Sequence, residues 1–192
     1  LRDLDGAERV IEVPACDAVI TLDADSMLLP EYAARLVHEL ERPGNERVGI
    51  IQTPYSSYRG RRSRIERLAG ATTDLQHLVH QGLTAFGATF WVGANAVIRW
   101  ALLDDLRTVE TVDGNQVVRF IRGRTVIEDT ESSIDVILRG WDLVNYPERL
   151  SYSATPPDFG TLVVQRRRWA NGGLLVLPGL WRTAAARRAG GH

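Results

Sequence analysis

Short apolar runs alternate with amphipathic segments along this chain. Residues 17–22 and 48–52 are apolar and rich in β-branched side chains, which predicts two buried strands. Residues 30–42 and 63–83 place apolar side chains at helical spacing, which predicts two helices. The apolar stripe expected on the second helix consists of Ile65, Leu68, Thr72, Leu75, Val79 and Leu83.

The second half of the chain continues this alternation. Residues 89–99 predict a strand, a tight turn at Gly93 and then a further strand or a helix start. The Asp113-Gly114 pair between β-rich flanks predicts a hairpin over residues 109–120. The remaining expected elements are a short helix at 130–139 that ends at Gly140, an extended stretch at 143–146 and a final helix at 161–171. Alternating strands and helices indicate an α/β sheet, which binds ligands beyond the carboxyl ends of its strands.

Composition narrows the classes of function. A chain of 192 residues that is 44% apolar suits one globular core, and a net charge of −1 excludes a general nucleic-acid binder. All 23 basic residues are Arg, which excludes a Schiff-base lysine and a phosphate-loop lysine. The single Cys16 excludes disulfide scaffolds and thiolate metal clusters. The longest apolar run, residues 172–181, is interrupted by Pro178 and has about half the length of a membrane span.

The first candidate motif is the pair Asp23 and Asp25, directly after the strand at 17–22. Two carboxylates that leave a buried strand together suit a divalent cation that bridges phosphates. With 13 Asp in 192 residues, about one such pair is expected by chance, and Asp3 with Asp5 is a second copy. Only Asp23 and Asp25 follow an apolar strand, and this position favours a functional role.

The second candidate is Glu128 with Asp129, at the start of the helix expected at 130–139. Acids in a first helical turn also satisfy free N–H groups and favour the helix dipole. A capping role is therefore the simpler interpretation of this segment taken alone, and a catalytic acid is the alternative.

The third candidate is the segment from Gln165 to Trp169 (QRRRW). On a helix, Gln165, Arg168 and Trp169 share one face, while Arg166 and Arg167 point elsewhere. A guanidinium suits a pyrophosphate leaving group, and an indole suits the flat side of a sugar ring. The alternative is an Arg-rich solvated helix in which Trp169 is only a core anchor.

In their order and spacing, the three motifs resemble those of the cellulose-synthase-like branch of the family 2 glycosyltransferases. The segments DAD at 23–25, IED at 127–129 and QRRRW at 165–169 carry the resemblance. IQTPYSSY, FWVGANAVIR and LRGWDLVNYPE also look like segments of that branch. One departure is Ile127, which stands where the family usually has Thr.

The resemblance implies a GT-A-like, Rossmann-like mixed sheet flanked by helices, and inverting sugar transfer from a nucleotide-diphosphate sugar to a glycan hydroxyl. By analogy, Asp129 is the expected general base, and Asp25 the expected ligand of Mg²⁺ or Mn²⁺. A UDP-sugar is the expected donor. The other expected contacts are Asp23, Asp25, Gln165 and Arg168 with the donor and its diphosphate, and Trp169 and Glu128 with the acceptor.

The resemblance also suggests where the chain belongs. Residues 1–192 are expected to form a single, partial catalytic domain without the family's first nucleotide-binding strands. Residues 172–192 are the expected start of an interfacial helix or a tail. We expect a larger membrane enzyme at the cytoplasmic face of the cell membrane, with this segment weakly active or inactive alone. No nucleic-acid partner is expected.

Two other interpretations stay open at this point. A phosphatase of the haloacid-dehalogenase type also has an Asp pair after an apolar strand, although its chemistry ordinarily needs a Lys. The second is a transferase-like domain that binds sugar without turnover.

Two further residue groups have a simple structural interpretation. His77 and His80 have the spacing of metal ligands, but we expect a hydrogen-bonded pair on the helix surface. The Arg cluster of residues 59, 61, 62, 64 and 67 is expected to be a solvated helix start, with anionic lipid as the alternative.

Overall fold

A computed structural model describes residues 15–60, 63–121 and 127–189. The positions Asp3, Asp5, Arg61 and Arg62 named above lie outside these ranges. The elements are β1 (Ala18–Leu22), β2 (Met27–Leu28), α1 (Tyr32–Leu40), β3 (Val48–Gln52), β4 (Tyr55–Ser57), α2 (Arg64–Thr84), β5 (Asn95–Arg99), α3 (Trp100–Leu106), β6 (Thr108–Val112), β7 (Asn115–Arg119), α4 (Glu128–Leu138), β8 (Asp142–Asn145), β9 (Ser151–Ser153) and α5 (Phe159–Ala189).

A mixed four-stranded sheet in the order β1-β5-β3-β8 forms the centre of the fold. β5 is antiparallel to both β1 and β3, whereas β3 and β8 are parallel. Successive residues of a strand face opposite sides, so Ile50 and Ile98 pack with Leu102 of α3 and Val136 of α4. On the other side, Ile51 and Val97 pack against Tyr32, Leu36 and Leu40 of α1. The predicted α/β sheet with flanking helices is therefore confirmed.

Two smaller sheets accompany the central one. The order β2-β9-β4 forms the first, and β6 pairs with β7 as a separate hairpin. In that hairpin Asp113 has φ +51° and Gly114 has φ +79°, the left-handed values that a two-residue hairpin turn requires. The hairpin predicted from the Asp113-Gly114 pair is confirmed.

The buried face of α2 is not the one that its apolar spacing predicts. Leu68, Leu75 and Val79 are 55%, 64% and 61% exposed, while Ala69, Gly70, Thr73, His77 and His80 are buried. The helix packs so close to β4 that a Cβ at Gly70 would collide with the Ser57 hydroxyl. Small side chains fit this interface better than leucines. The predicted stripe is therefore wrong, and so is the expectation that the two histidines lie on the surface.

Three other expectations need correction or extension. Residues 89–92 do not form the expected strand, and the chain instead passes through the Gly93 turn, with φ +82°, into β5. α4 begins earlier than predicted, at Glu128, and Gly140 follows it with φ +74°. α5 continues far beyond the predicted end, so residues 172–189 are helical with Pro178 inside the helix.

Within the described ranges, no helix is both long and apolar enough to cross a membrane.

Candidate active site

A cleft of about 490 Å³ opens where the carboxyl end of β1, the turn before β5, the start of α4 and the middle of α5 meet. The structure brings all the predicted site residues to this one cleft. The residues concerned are Asp23, Asp25, Glu128, Asp129, Gln165, Arg168 and Trp169. Positions more than a hundred residues apart in the chain therefore share one site.

The acid pair is held at the end of β1 by hydrogen bonds on both residues. The Asp23 N–H donates to the Ala94 carbonyl at 3.2 Å, and the Asp23 carbonyl accepts from the Ser26 N–H at 2.9 Å. The Ser153 hydroxyl donates to Asp25 Oδ1 at 3.0 Å, and the Tyr58 hydroxyl donates to the Asp25 carbonyl. The position of the two carboxylates is thus fixed by the strand end and by neighbouring β-structure.

The electrostatics of Asp23 indicate a site that favours positive charge. Burial raises the pKa of the Asp23 carboxyl, and the negative charge of Asp25 raises it further. Arg168 opposes this shift, and Glu128 adds to it. Concentrated negative charge of this kind is stabilised by a cation, so the site is suited to a metal ion or a guanidinium.

The donor set fits a divalent cation that binds together with a diphosphate. Among the described residues, no group of three or more His, Cys, Asp or Glu side chains could hold a metal by itself. Mg²⁺ usually takes one or two carboxylates and completes its shell with water and substrate phosphates. Asp25 and Asp23 could provide that share of the ligands, and Ser153 orients one oxygen of Asp25.

Asp129 occupies the first turn of α4, where it is largely enclosed. Its Oδ1 accepts from the Thr130 N–H at 2.6 Å, so the carboxylate satisfies one free N–H at the start of the helix. Burial raises the pKa of the Asp129 carboxyl, and the bond from Thr130 opposes this shift. The capping interpretation and the catalytic one are therefore compatible, because the pKa of the carboxyl stays raised although Thr130 donates to it.

The turn at Gly93 passes directly against this carboxylate. A Cβ at Gly93 would lie 2.6 Å from Asp129 Oδ2, and the backbone there has φ +82°. The same turn is tied to α4, because the Trp91 N–H donates to the Ser133 hydroxyl, which donates to the Asp129 carbonyl, both at 2.9 Å. Gly93 is thus required both for the turn and for the space that Asp129 occupies.

The α5 face differs from prediction at one residue. Gln165, Arg168 and Trp169 line the cleft as expected, but Arg166 lines it as well. The Arg166 guanidinium lies 4.5 Å from the centroid of the Trp169 ring and donates to the Thr72 hydroxyl at 2.7 Å. The expectation that Arg166 points elsewhere is wrong, because a long side chain can extend around a helix toward a neighbouring element.

Comparison with known proteins assigns the family. The model of the family described as "Glycosyl transferase family group 2" matches residues 18–190, most of the chain. The chain belongs to glycosyl transferase family group 2. The family resemblance carried by the three motifs is confirmed, and the phosphatase alternative loses its basis.

Individual relatives of this family 2 domain give further context. "Glucans biosynthesis glucosyltransferase H" of Rhodopseudomonas palustris (strain BisA53) is 26% identical over 168 residues, which are 82% of this chain and 22% of that protein. A solved mannosyltransferase, PcManGT from Pyrobaculum calidifontis in complex with GDP-Man and Mn²⁺, matches with a TM-score of 0.54 at 17% identity. That match covers 86% of this chain and 39% of the mannosyltransferase, and it shows that the two share the fold.

Sequence reasoning missed several cleft residues of this family 2 domain. Tyr55 lines the cleft just after β3, and burial together with the nearby Asp23 raises the pKa of its hydroxyl to about 12. Its N–H donates to the buried His77 Nε2 at 3.2 Å. Ser153 and Arg166 were missed too. The one available signal was that IQTPYSSY ends a buried strand with polar side chains, the place where α/β sheets bind ligands.

Proposed function

We propose that this domain catalyses inverting transfer of a sugar from a nucleotide-diphosphate sugar to a glycan hydroxyl, with Asp129 as the general base. One observation carries the proposal. An enclosed carboxylate with a raised pKa, Asp129, shares a cleft with the acid pair Asp23 and Asp25, although the two lie on different elements. A base and a site for a charged leaving group in one cleft are the two parts that this reaction requires.

On the donor side, the cleft neutralises the negative charge of the departing diphosphate. Asp23 contacts the nucleotide-sugar, and Asp25 holds Mg²⁺ or Mn²⁺. When bound, that metal supplies positive charge to the departing diphosphate. Arg168 and Gln165 hold the pyrophosphate from α5, and the positive charge of Arg168 already acts on the Asp23 carboxylate. A solved protein of the same fold is described with GDP-Man and Mn²⁺, which is consistent with this assignment.

On the acceptor side, one residue stacks against the acceptor sugar and another takes the proton of its hydroxyl. Trp169 supplies a flat surface for the acceptor sugar, and Glu128 contacts the same sugar. The acceptor oxygen attacks the anomeric carbon and forms the new C–O bond, while the bond to the diphosphate oxygen breaks. The acceptor proton passes to Asp129, whose raised pKa makes it a better proton acceptor than an exposed Asp. Attack from the face opposite the leaving group inverts the anomeric centre.

The finer assignments belong to the same proposal. We assign the donor as a UDP-sugar, the product as a glucan-type polysaccharide and the location as the cytoplasmic face of the cell membrane, within a larger enzyme. The named role of the curated relative in glucan biosynthesis supports the product class. The exposed apolar side chains of α5, among them Leu174, Leu175 and Trp181, support a nearby lipid surface. Competition by UDP and by GDP against the donor tests which nucleobase the site prefers.

The decisive experiment replaces Asp129 by Asn in the natural full-length protein. We expect kcat for sugar transfer to fall by about 10²–10⁴-fold, because the acceptor proton loses its acceptor. The Kd for the donor should change little, since Asn keeps the shape of the side chain. Asp104→Asn, at an exposed position of α3, is the matched control and should transfer sugar at the unmodified rate. Equal rates for the Asp129 and Asp104 variants would remove Asp129 as the base.

A further inference from the structure

Arg166 lies between the indole of Trp169 and the hydroxyl of Thr72, and so links α5 to α2. Its guanidinium is 4.5 Å from the centroid of the indole, and one of its N–H groups donates to Thr72 Oγ1 at 2.7 Å. Arg166 and Trp169 both line the cleft. Thr72 lies on the exposed side of α2, so its hydroxyl is not part of the core.

The hydrogen bonds of Thr72 fix which way its oxygen faces. Its hydroxyl proton is donated to the Ala69 carbonyl at 2.8 Å, within the same helix. The lone pairs of the oxygen are then left to accept from Arg166. The Ala69 carbonyl thus orients the Thr72 hydroxyl, and this hydroxyl in turn accepts from the Arg166 guanidinium. The indole beside the guanidinium constrains its plane.

The contact also decides which part of Trp169 a sugar can use. A guanidinium over the ring occupies one face of the indole and leaves the other face for a second planar contact. We infer that Arg166 is a positioning residue, which sets the orientation of Trp169 from α2 and restricts acceptor stacking to the uncovered face of the indole. This inference rests on the proposed function, in which Trp169 receives the acceptor sugar.

A competing role for Arg166 is direct binding of the diphosphate, since its side chain is cationic and lies in the cleft. The two roles differ in their dependence on Thr72. A positioning role requires the Thr72 hydroxyl, whereas a direct ionic contact with the donor does not. Variants at both residues therefore separate the roles, and both lie at least partly at the surface, where substitution leaves the core unchanged.

The first measurement follows the ring itself and needs no activity. In the natural full-length protein, tryptophan is replaced by 5-fluorotryptophan, and the ¹⁹F resonance of Trp169 is assigned from its loss in Trp169→Phe. Thr72→Val and Arg166→Met should both shift this resonance, and the double variant should resemble Arg166→Met. Thr72→Ser, which keeps the hydroxyl, should leave it in place. Arg167→Met, at an exposed position of the same helix, is the matched control. An unchanged Trp169 resonance in Thr72→Val would overturn the inference.

The second measurement separates acceptor from donor in the natural full-length protein, with cellotetraose as the acceptor probe. We expect Thr72→Val and Arg166→Met to raise the acceptor KM by about three- to tenfold and to change the donor KM by less than twofold. Thr72→Ser, which keeps the hydroxyl, should have the acceptor KM of the unmodified protein. A raised donor KM in Arg166→Met with normal kinetics in Thr72→Val would assign Arg166 to the diphosphate instead.

The two measurements distinguish failure of this inference from failure of the proposed function. Shifted Trp169 resonances in a protein that transfers no sugar would support the positioning of the ring and contradict the transferase proposal. Unshifted resonances in a protein whose transfer depends on Asp129 would do the reverse.

Discussion

The two sides of the cleft are constrained to different degrees. The acid wall, formed by Asp23, Asp25, Gly93 and Asp129, is tied by hydrogen bonds to two buried side chains, since Ser153 donates to Asp25 and Ser133 donates to the Asp129 carbonyl. The helix wall, formed by Gln165, Arg166, Arg168 and Trp169, belongs to a helix whose neighbouring apolar side chains are largely exposed. We conclude that the core fixes the acid wall, whereas a few side-chain contacts set the position of the helix wall. The four predictions below test this difference.

The largest effect is expected where the acid wall meets the core, at Asn95. This fully buried side chain accepts from the Tyr32 hydroxyl at 3.1 Å and from the Thr53 N–H at 3.2 Å, and it donates to the Ser151 hydroxyl at 2.9 Å. Asn95→Ala removes the partner of these buried groups. We expect the free energy of unfolding to fall by about 2–4 kcal/mol. Chemical denaturation measures it.

Asn115→Ala, in the exposed β6–β7 hairpin, is the control for this prediction and should lower the free energy of unfolding by less than about 1 kcal/mol. A similar loss for the two variants would show that the network beneath the acid wall is not specially constrained.

The second prediction concerns the pH dependence of stability at His77, beneath Tyr55. Burial lowers the pKa of His77 to about 4, with smaller contributions from His80 and Arg149. An unfolded His has a pKa near 6.5, so the unfolded chain binds this proton more readily. The stabilising contribution of neutral His77 is complete above about pH 6.5 and is lost as the pH falls toward 4, up to about 3 kcal/mol.

Denaturation curves between pH 7 and pH 4.5 measure this effect. His77→Asn should reduce the dependence of the unfolding free energy on pH, because this titrating group is gone while the buried His80 remains. His38→Asn, at an exposed position of α1, should leave the slope unchanged. If both variants kept the original slope, His77 would not be the group responsible.

The third prediction separates backbone conformation from space at Gly93. Alanine there has an unfavourable positive φ and a Cβ 2.6 Å from Asp129 Oδ2. Gly87→Ala is the matched control, since its φ is +60° and no atom lies within 4 Å of the added Cβ. We expect Gly93→Ala to lose about 1–2 kcal/mol more stability than Gly87→Ala, because overpacking adds to the φ cost.

Activity gives the sharper readout for Gly93. A displaced Asp129 carboxylate should lower kcat by tenfold or more, because small misplacements of a reacting group are costly. Gly87→Ala should leave kcat unchanged. Equal activities for the two variants would mean that the acid wall adapts, contrary to the comparison made above.

The smallest effect is expected on the helix wall, at Gly172. A Cβ there would lie 2.6 Å from Ile127 Cγ2, so Gly172→Ala should push α5 away from the start of α4. Gly179→Ala is the control, because its added Cβ meets nothing within 4 Å and alanine favours the helix. We expect Gly172→Ala to be about 1 kcal/mol less stable than Gly179→Ala.

Ile127→Ala in the Gly172→Ala background should recover part of this loss by making room for the methyl group. Thermal unfolding of the two single variants and the double variant measures the coupling. Additive effects would show that α5 does not rest on Ile127.

Much of the fold was predictable because its signals are local. The apolar runs that became β1 and β3 and the Asp113-Gly114 turn depend on side chains close in sequence. The end of α4 was predicted within one residue from Gly140. The errors fall where packing overrides pattern. α2 buries small residues and two histidines because Gly70 lets it approach Ser57 closely, and this approach cannot be read from spacing along the helix.

The candidate site divides in the same way. The motifs identified Asp23, Asp25, Asp129 and Trp169, since each motif carries its chemistry in adjacent letters. Arg166 and Gly93 were not recognised as cleft residues, because their roles arise from contact with Thr72 and Asp129, which are distant in sequence.

By itself, the sequence determined the main elements and the chemistry that each motif can offer, because periodicity, turn preferences and ionisable groups are properties of short segments. Only the tertiary structure decided which helix faces are buried, which oxygen of Asp129 accepts from the Thr130 N–H and which face of Trp169 is covered. Those outcomes depend on how closely elements approach one another, and that distance is set by packing between residues far apart in the chain.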